Sequence, residues 1–185
     1  LTVCDIKGVS TDAWNNWKSS LLDSLYFQTL QLVSTDVKVE TRSERINTAK
    51  KKLEGYLQGF EKQEIKKETS RHFDAYWLVL DTTTQKLIAK MINSLEQDPL
   101  QIQPSYDSER DITKIIFVME DHPGIFSRLA GALAIASANV IDAKTFTTKD
   151  GIANFIFWIQ DNLGKTYDER KTKKLLDTVK KTLSG

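Results

Sequence analysis

Cysteine is nearly absent from this chain. Cys4 is the one cysteine among 185 residues, so an internal disulfide and a cysteine-rich zinc site are both excluded. Cys4 lies in the apolar run 1–4 with no histidine nearby, which predicts a small buried hydrophobe rather than a nucleophile. A single cysteine is typical of a reducing compartment, and we expect a cytoplasmic protein.

Long apolar runs and an excess of one charge are missing as well. No stretch is long enough to cross a membrane, and 26 Lys and Arg residues balance 25 Asp and Glu residues. We therefore expect no membrane partner, and nothing in the charge demands an acidic partner such as nucleic acid. The chain begins without Met and enters an apolar run at once, which predicts a segment of a longer protein.

Helical periodicity is clear in the first 71 residues. Ser10, Thr11 or Asp12 is expected to cap a helix that ends near Ser34. The apolar face of this helix consists of Trp14, Trp17, Leu21, Leu25 and Leu32, and residues of this kind are expected in a core. Residues 39–71 are predicted to form two highly charged helices.

Strand patterns dominate the rest of the chain. A strand is predicted at 76–80, followed by an amphipathic helix at 82–97. Further strands are predicted at 100–106, 112–120, 139–148 and 152–161, with helices at 124–138 and 167–183, and Asp150-Gly151 predicts a type I′ hairpin turn. This order predicts an α+β fold, with a helical N-terminal segment followed by a ferredoxin-like antiparallel sheet that has helices on one face.

The most informative stretch is 120–141, where a strand, a Pro-Gly turn, a small-residue helix and a second strand follow one another. Asp121 is placed to accept hydrogen bonds from free backbone donors of the helix, and Pro123-Gly124 joins a fixed φ to an unrestricted one. Such a helix N-terminus attracts the carboxylate of a small ligand. We therefore expect an amino-acid pocket, the alternative being an ordinary βαβ unit whose turn only changes direction.

The residues Asp121, Pro123, Gly124 and Ile125, followed by Asn139-Val140, resemble the signature of the ACT domain, a small regulatory module of amino-acid metabolism. Residues 139–151 and 157–168 resemble one ACT subgroup, that of the bifunctional uridylyltransferase/uridylyl-removing enzymes of the PII nitrogen-signalling protein. The segments 1–6, 14–18 and 75–78 resemble the same enzymes in the same order. The resemblance covers most of the chain and is weakest at 34–70.

This resemblance implies three parts. Residues 1–34 would be the last helices of an HD domain, 35–72 a charged helical linker, and 73–185 an ACT-like regulatory domain with its core at 111–183. Asp5 would be the last metal ligand of the HD domain, a site for Mg²⁺ or Mn²⁺ in the intact enzyme. The remaining ligands and the transferase carboxylates would precede Leu1, so this segment is expected to hold no cofactor and to be catalytically silent.

An effector site for glutamine is also implied. The main-chain donors from Asp121 to Phe126 would hold the α-carboxylate, Asp121 and Asn139 would fix the amino or amide groups, and Gly124 would allow close approach. The implied site residues are Asp121, His122, Gly124, Ile125, Phe126, Asn139 and Ile141. Alternatively, Asn139 only satisfies local backbone groups where the strand begins.

The implied function is glutamine sensing that controls UMP transfer from UTP to PII and its hydrolytic removal. Its partners would be PII, glutamine and a second copy, because ACT domains commonly dimerise. An ACT domain normally has βαββαβ order, and the place of its last strand is expected to be taken by residues 76–80 or 100–106, or left as an open edge.

Other functions stay open at this stage. One is an amino-acid-binding ACT module of a different metabolic enzyme, and another is a purely dimerising ACT domain. A nucleic-acid-binding ferredoxin-like domain would need exposed aromatic residues on the sheet. The candidates are Phe155, Phe157 and Trp158, but their strand is continuously apolar, which predicts burial, so no nucleic-acid partner is expected.

Overall fold

The computed structural model describes residues 2–9, 14, 16–34 and 40–184. Six helices come first, namely α1 (Thr2–Val9), α2 (Asn16–Ser34), α3 (Arg42–Tyr56), α4 (Lys62–Arg71), α5 (Asp74–Val79) and α6 (Thr82–Asn93). The elements that follow are β1 (Leu100–Asp107), β2 (Ile112–Glu120), α7 (Ile125–Ile135), β3 (Asn139–Thr147), β4 (Ile152–Gln160) and α8 (Glu169–Ser184). The predicted α+β class is confirmed. The predicted caps at 10–12 lie outside the described residues.

The four strands form one antiparallel sheet in the order β1-β2-β4-β3. β1 pairs with β2 along its whole length, from Leu100 opposite Met119 to Asp107 opposite Ile112. β1 therefore lies in the place beside β2 that the last strand of the ACT pattern would take, which was one of the alternatives predicted for residues 100–106. β1 and β3 are the two edge strands.

The strand predicted at 76–80 is wrong, because these residues belong to α5 and its C-cap. β-forming residues are frequent there, but Tyr76, Trp77 and Leu80 are spaced so that one helical turn buries all three in the same core. Asp74 in the first turn also suits the helix dipole. Burial in the folded protein thus overrides the local preference.

The sheet is packed on both faces, because successive strand residues point to opposite sides. On one face Ile115, Phe117 and Phe157 pack with Leu129 of α7 and Val179 of α8. These two helices are the ones predicted to cover one face of the ACT sheet.

Residues 42–93, called the helical layer below, cover the opposite face. Ile116, Val118 and Ile156 of the sheet share a core there with Leu53 of α3 and Ile88 of α6. Sequence periodicity predicted these helices but not their place on the sheet. The division of the chain at 34/35 and 72/73 stays a prediction.

The connection between β3 and β4 differs from the predicted type I′ turn. That turn needs a positive φ at both central residues, whereas Gly151 has φ of +80° and Asp150 does not have a positive φ. Gly151 N–H donates to Thr148 O at 3.1 Å, and Thr148 N–H donates to Ile152 O at 2.8 Å. Residues 149–151 thus form a three-residue loop, called the hairpin loop below, whose last residue is a left-handed glycine.

The N-terminal helices expose side chains that were predicted to be buried. Cys4 on α1 is exposed, and so are Leu21 and Leu25 on α2. Trp17 is half-buried, with its ring centre 6.1 Å from that of Trp158 on β4. Trp14 precedes α2 instead of belonging to it. In the described part of the chain, no helix combines the length and apolarity that a membrane span requires.

Candidate functional site

The Pro-Gly turn lies where the chain leaves β2 and enters α7. Gly124 is the N-cap residue and has φ of +84°, a left-handed conformation that glycine adopts without strain. No side chain caps the helix through Gly124. Arg128 N–H makes the first helical bond, to Gly124 O, so the N–H groups of Phe126 and Ser127 have no acceptor within the helix.

Asp121 does not cap α7, contrary to the prediction. Its Oδ2 accepts a hydrogen bond from Thr147 Oγ1 at 3.0 Å, and its N–H donates to Gly151 O at 2.8 Å. The reason is the pairing of Glu120 with Ile152, which carries the chain along the end of β4 before it reaches the helix. Asp121 is therefore tied to the β3–β4 connection.

The other predicted residues of the turn divide into exposed and buried groups. His122 is exposed, and its Nδ1 lies 3.4 Å from Pro123 O. Ile125 is buried in the core, and its N–H donates to His122 O. Phe126 is 41% exposed while its ring stacks on Phe157 at 5.7 Å between centres. The surface open to a ligand is thus formed by His122, Gly124 and the outer part of Phe126.

Asn139 and Ile141 lie far from this turn in the same chain. Asn139 begins β3 opposite Gln160, whereas Thr147, the partner of Asp121, ends that strand. Eight residue steps of about 3.3 Å separate the two positions by about 26 Å. A register shift between Val140 and Asp142 leaves Ile141 in a bulge. The fold therefore does not bring Asp121 and Asn139 of one chain together.

Asp5, the residue predicted to bind metal in an intact enzyme, is exposed on α1. Within residues 2–9, 14, 16–34 and 40–184, no group of three or more His, Cys, Asp and Glu side chains is arranged to hold a metal ion. The role of Asp5 stays a prediction about a longer protein.

A buried polar cluster at the end of α4 was missed by sequence reasoning. Glu68, Arg71 and His72 are all buried, with Glu68 Oε1 2.8 Å from His72 Nε2 and Glu68 Oε2 3.4 Å from Arg71 Nη1. Arg71 Nη2 lies 3.2 Å from Asp150 Oδ2 in the hairpin loop. The helical spacing of Glu68, Arg71 and His72 was the available signal, whereas the contact with Asp150 left none.

The cluster and its surroundings shift two titrations. Burial, reinforced by the charge of Glu68, raises the pKa of Tyr76 well above its usual range. The Tyr76 ring stacks on His72 at 3.6 Å between centres. Burial by itself would raise the pKa of Asp150, but the Thr148 hydroxyl and the Arg71 charge outweigh that effect and lower it. The Asp150 carboxylate is therefore held in its charged form beside Arg71.

Comparison with known proteins places these features in a family context. Residues 113–182 match the ACT domain. The whole chain is 42% identical to the bifunctional uridylyltransferase/uridylyl-removing enzyme of Cereibacter sphaeroides, 43% identical to that of Ruegeria pomeroyi and 38% identical to that of Azospirillum brasilense. Each alignment covers 100% of this chain and 20 to 21% of the relative. The chain thus spans about a fifth of the length of the curated relatives it matches.

Proposed function

We propose that this chain is the glutamine-sensing region of a bifunctional uridylyltransferase/uridylyl-removing enzyme. The proposal is supported by the match of residues 113–182 to the ACT domain and by the similarity of the whole chain to about a fifth of the length of such enzymes. Glutamine bound at the Pro-Gly turn would control UMP transfer from UTP to PII and the hydrolytic removal of UMP. The two reactions themselves would be carried out by other parts of a longer protein, and Asp5 of this chain would supply one ligand to a metal site there.

The observation that carries this proposal is the uncapped N-terminus of α7 beside the left-handed Gly124. The N–H groups of Phe126 and Ser127 and the positive end of the helix dipole favour a carboxylate at this place. Gly124 has no side chain, and a Cβ built on it would meet no atom within 4 Å. An amino-acid α-carboxylate therefore has both donors and room.

We place the proposed site between two copies of the chain. β3 is an edge strand, and its Val140 is 40% exposed, so the strand has an edge with which a second copy can pair. Antiparallel pairing of β3 with β3 of a second copy, centred on Ala143, sets Asn139 of one copy opposite Thr147 of the other. Thr147 binds Asp121. Such a symmetric dimer brings Asp121 and Asn139 together, which one chain does not.

Calorimetric titration of the 185-residue chain with glutamine tests the proposal, with glutamate and serine as ligand controls. We expect saturable binding of glutamine alone, abolished by Asp121→Ala. Asp177→Ala is the matched control, because Asp177 is an exposed carboxylate on α8, away from the turn, and it should bind glutamine like the wild type. Absence of heat with millimolar glutamine would contradict sensing by this chain.

A second candidate function is a dimerising ACT domain that binds no effector. It is favoured by the hydrogen bond that already occupies the Asp121 carboxylate and by the edge position of β3. In that case sedimentation would show a dimer whose dissociation constant is the same with and without glutamine. A dimer strengthened by glutamine alone would instead support the sensing function.

A further inference from the structure

The turn at residues 121–126, the proposed effector site and called the effector turn below, is joined to the β3–β4 connection at two points. Thr147 Oγ1 donates to Asp121 Oδ2 at 3.0 Å, and Asp121 N–H donates to Gly151 O at 2.8 Å. One bond reaches the last residue of β3 and the other reaches the last residue of the hairpin loop. A displacement of Asp121 would therefore shift both ends of the β3–β4 connection.

The same loop is fastened on its other side to the end of α4. Lys149 N–H donates to Arg71 O at 2.8 Å, and Lys149 Nζ donates to Ser70 O at 2.7 Å. Asp150 Oδ2 forms an ion pair with Arg71 Nη2 at 3.2 Å. These contacts join residues about eighty positions apart, so they are tertiary links and not a local turn.

The attachment of α4 to the rest of the molecule has a large polar part. The buried residues of α4 are Glu68 and Arg71, which carry charged side chains, and its Ile65 is only partly buried against the core. The contacts of Ser70 and Arg71 with the hairpin loop therefore contribute much of what holds the end of this helix. A helix with few buried apolar contacts is expected among the elements that open most readily.

The interface between the sheet and the helical layer also contains buried polar atoms without a hydrogen-bond partner. In the part of the chain that the structure describes, the buried side-chain atoms without a hydrogen-bond partner are Arg71 Nε, Trp77 Nε1, Gln85 Oε1 and Asn154 Oδ1. The first three belong to the helical layer, and Asn154 lies on β4 opposite Val118 of the face that the layer covers. Unsatisfied buried groups weaken this interface relative to the face covered by α7 and α8.

We propose that the hairpin loop is a relay between the effector turn and α4, with Arg71 and Asp150 as its positioning residues. The identity of the effector rests on the proposed function, whereas the link itself is a property of the fold. An effector that binds at the turn fixes Asp121 against Thr147 and Gly151, which orders the loop and strengthens its hold on Ser70 and Arg71. Occupancy of the turn thereby stabilises the end of α4.

Hydrogen exchange of single amides in the 185-residue chain tests the link without any ligand. Asp150→Asn removes the charge that pairs with Arg71, and its matched control is Asp107→Asn. Both carboxylates are 39% exposed and lie 3.2 Å from an arginine nitrogen, but Asp107 is the last residue of β1, at the opposite end of the sheet. A difference between the two variants therefore reports where the ion pair lies and how deeply its arginine is buried, 8% exposed for Arg71 and 49% for Arg110, rather than the loss of one charge.

We expect Asp150→Asn to speed exchange about fivefold at the amides of residues 68–72 and at the amide of Asp121. Thr147→Val, which removes the hydroxyl from the other end of the relay, should speed exchange at Lys149 and at residues 68–72. Asp107→Asn should change none of these rates. The proposal is overturned if Asp150→Asn affects α4 while the Asp121 amide keeps its wild-type rate, or if neither site responds.

A second arm adds glutamine and separates this inference from the proposed function. In the wild type, saturating glutamine should slow exchange both at the turn and at residues 68–72. In Asp150→Asn it should slow exchange at the turn alone. Protection of the wild-type turn without any change in α4 would overturn the relay and leave sensing intact. A wild type that glutamine does not protect anywhere would contradict sensing, and the ligand-free arm would still decide the relay.

Discussion

Asp161, which follows β4, is a buried carboxylate that accepts hydrogen bonds from three neighbouring donors. Its Oδ1 accepts hydrogen bonds from the N–H groups of Leu163 and Lys165 at 2.9 Å each, and its Oδ2 accepts from Lys171 Nζ at 3.1 Å. Burial by itself would raise the pKa of this carboxyl, but the three donors outweigh burial and lower it. Because the folded state binds the proton more weakly than the unfolded chain, the charged form stabilises the fold above the ordinary aspartate range.

Asp161→Asn should lower the free energy of unfolding by about 1 to 2 kcal/mol at pH 7, because it weakens charge-assisted hydrogen bonds to a buried group. As the pH falls below the unfolded pKa of about 3.9 and through the lower folded pKa, the wild type loses this contribution. The difference between the two proteins should therefore shrink in urea unfolding at pH 3. The exposed Asp177→Asn serves as the control, and a difference independent of pH would contradict the account.

Sequence reasoning located the residues of the candidate site better than their partners. The residue types and spacing from Asp121 to Phe126 predicted a turn with free helix donors, and the structure has such a turn. The bond between Asp121 and Thr147 spans 26 positions, and the ion pair between Arg71 and Asp150 was equally hidden. Such partners depend on strand pairing and on the docking of α4, neither of which leaves a local pattern in one sequence.

At the scale of elements, alternation and period were sufficient where the segments were long. β2 was predicted at 112–120 and spans Ile112–Glu120, and α8 was predicted at 167–183 and spans Glu169–Ser184. The prediction of a strand at 76–80 failed because the run of apolar residues there is too short for its period to distinguish a strand from a buried helical turn. The prediction of a type I′ turn failed because Asp-Gly fits both a two-residue and a three-residue connection, and only the backbone φ distinguishes the two.

Two glycines allow the effect of backbone conformation on stability to be measured at sites that both have room for a side chain. Gly131 lies inside α7, whereas Gly151 ends the hairpin loop with φ of +80°. A Cβ built at either position meets no atom within 4 Å. A substitution to alanine therefore differs between the two sites chiefly in the backbone conformation that it must adopt.

Gly131→Ala should raise the free energy of unfolding by about 0.5 to 1 kcal/mol, because alanine loses less backbone entropy in a helix. Gly151→Ala should lower it by about 1 to 2 kcal/mol, because an L-residue is strained in the left-handed region. Urea unfolding of the two variants and the wild type under the same conditions gives both differences. Changes of the same sign would show that crowding or loop rearrangement, rather than φ, determines the result.

At the scale of the whole molecule, the sheet is the common wall of two cores. Ile115 and Ile116 are adjacent in β2, yet one packs with α7 and α8 and the other with the helical layer. The segment 113–182, which matches the ACT domain, thus has its second sheet face covered by residues that precede it in the chain. The proposed link from the effector turn to the helical layer runs through the hairpin loop, whereas α2 contacts the sheet directly, through Trp17 and Trp158.

The two-copy site makes a prediction that concerns the assembly. Asp121→Ala and Asn139→Ala should each abolish glutamine binding, and both residues are exposed, so neither change removes a core contact. If each site takes Asp121 from one copy and Asn139 from the other, mixing the two variants after dissociation and reassociation should restore about a quarter of the wild-type sites. About half of the dimers would then be mixed, each with one intact site and one doubly altered site.

The control for this mixture is Asp121→Ala combined with the double variant Asp121→Ala and Asn139→Ala, in which no arrangement of subunits creates an intact site. Calorimetry of both mixtures after identical treatment separates subunit complementation from refolding effects. Recovery in the first mixture alone would place the ligand across the edge of β3, because Asn139 lies about 26 Å along that strand from Thr147, the residue that binds Asp121 in the same chain. If the first mixture still binds no glutamine while the wild type does, the two residues do not form one shared site.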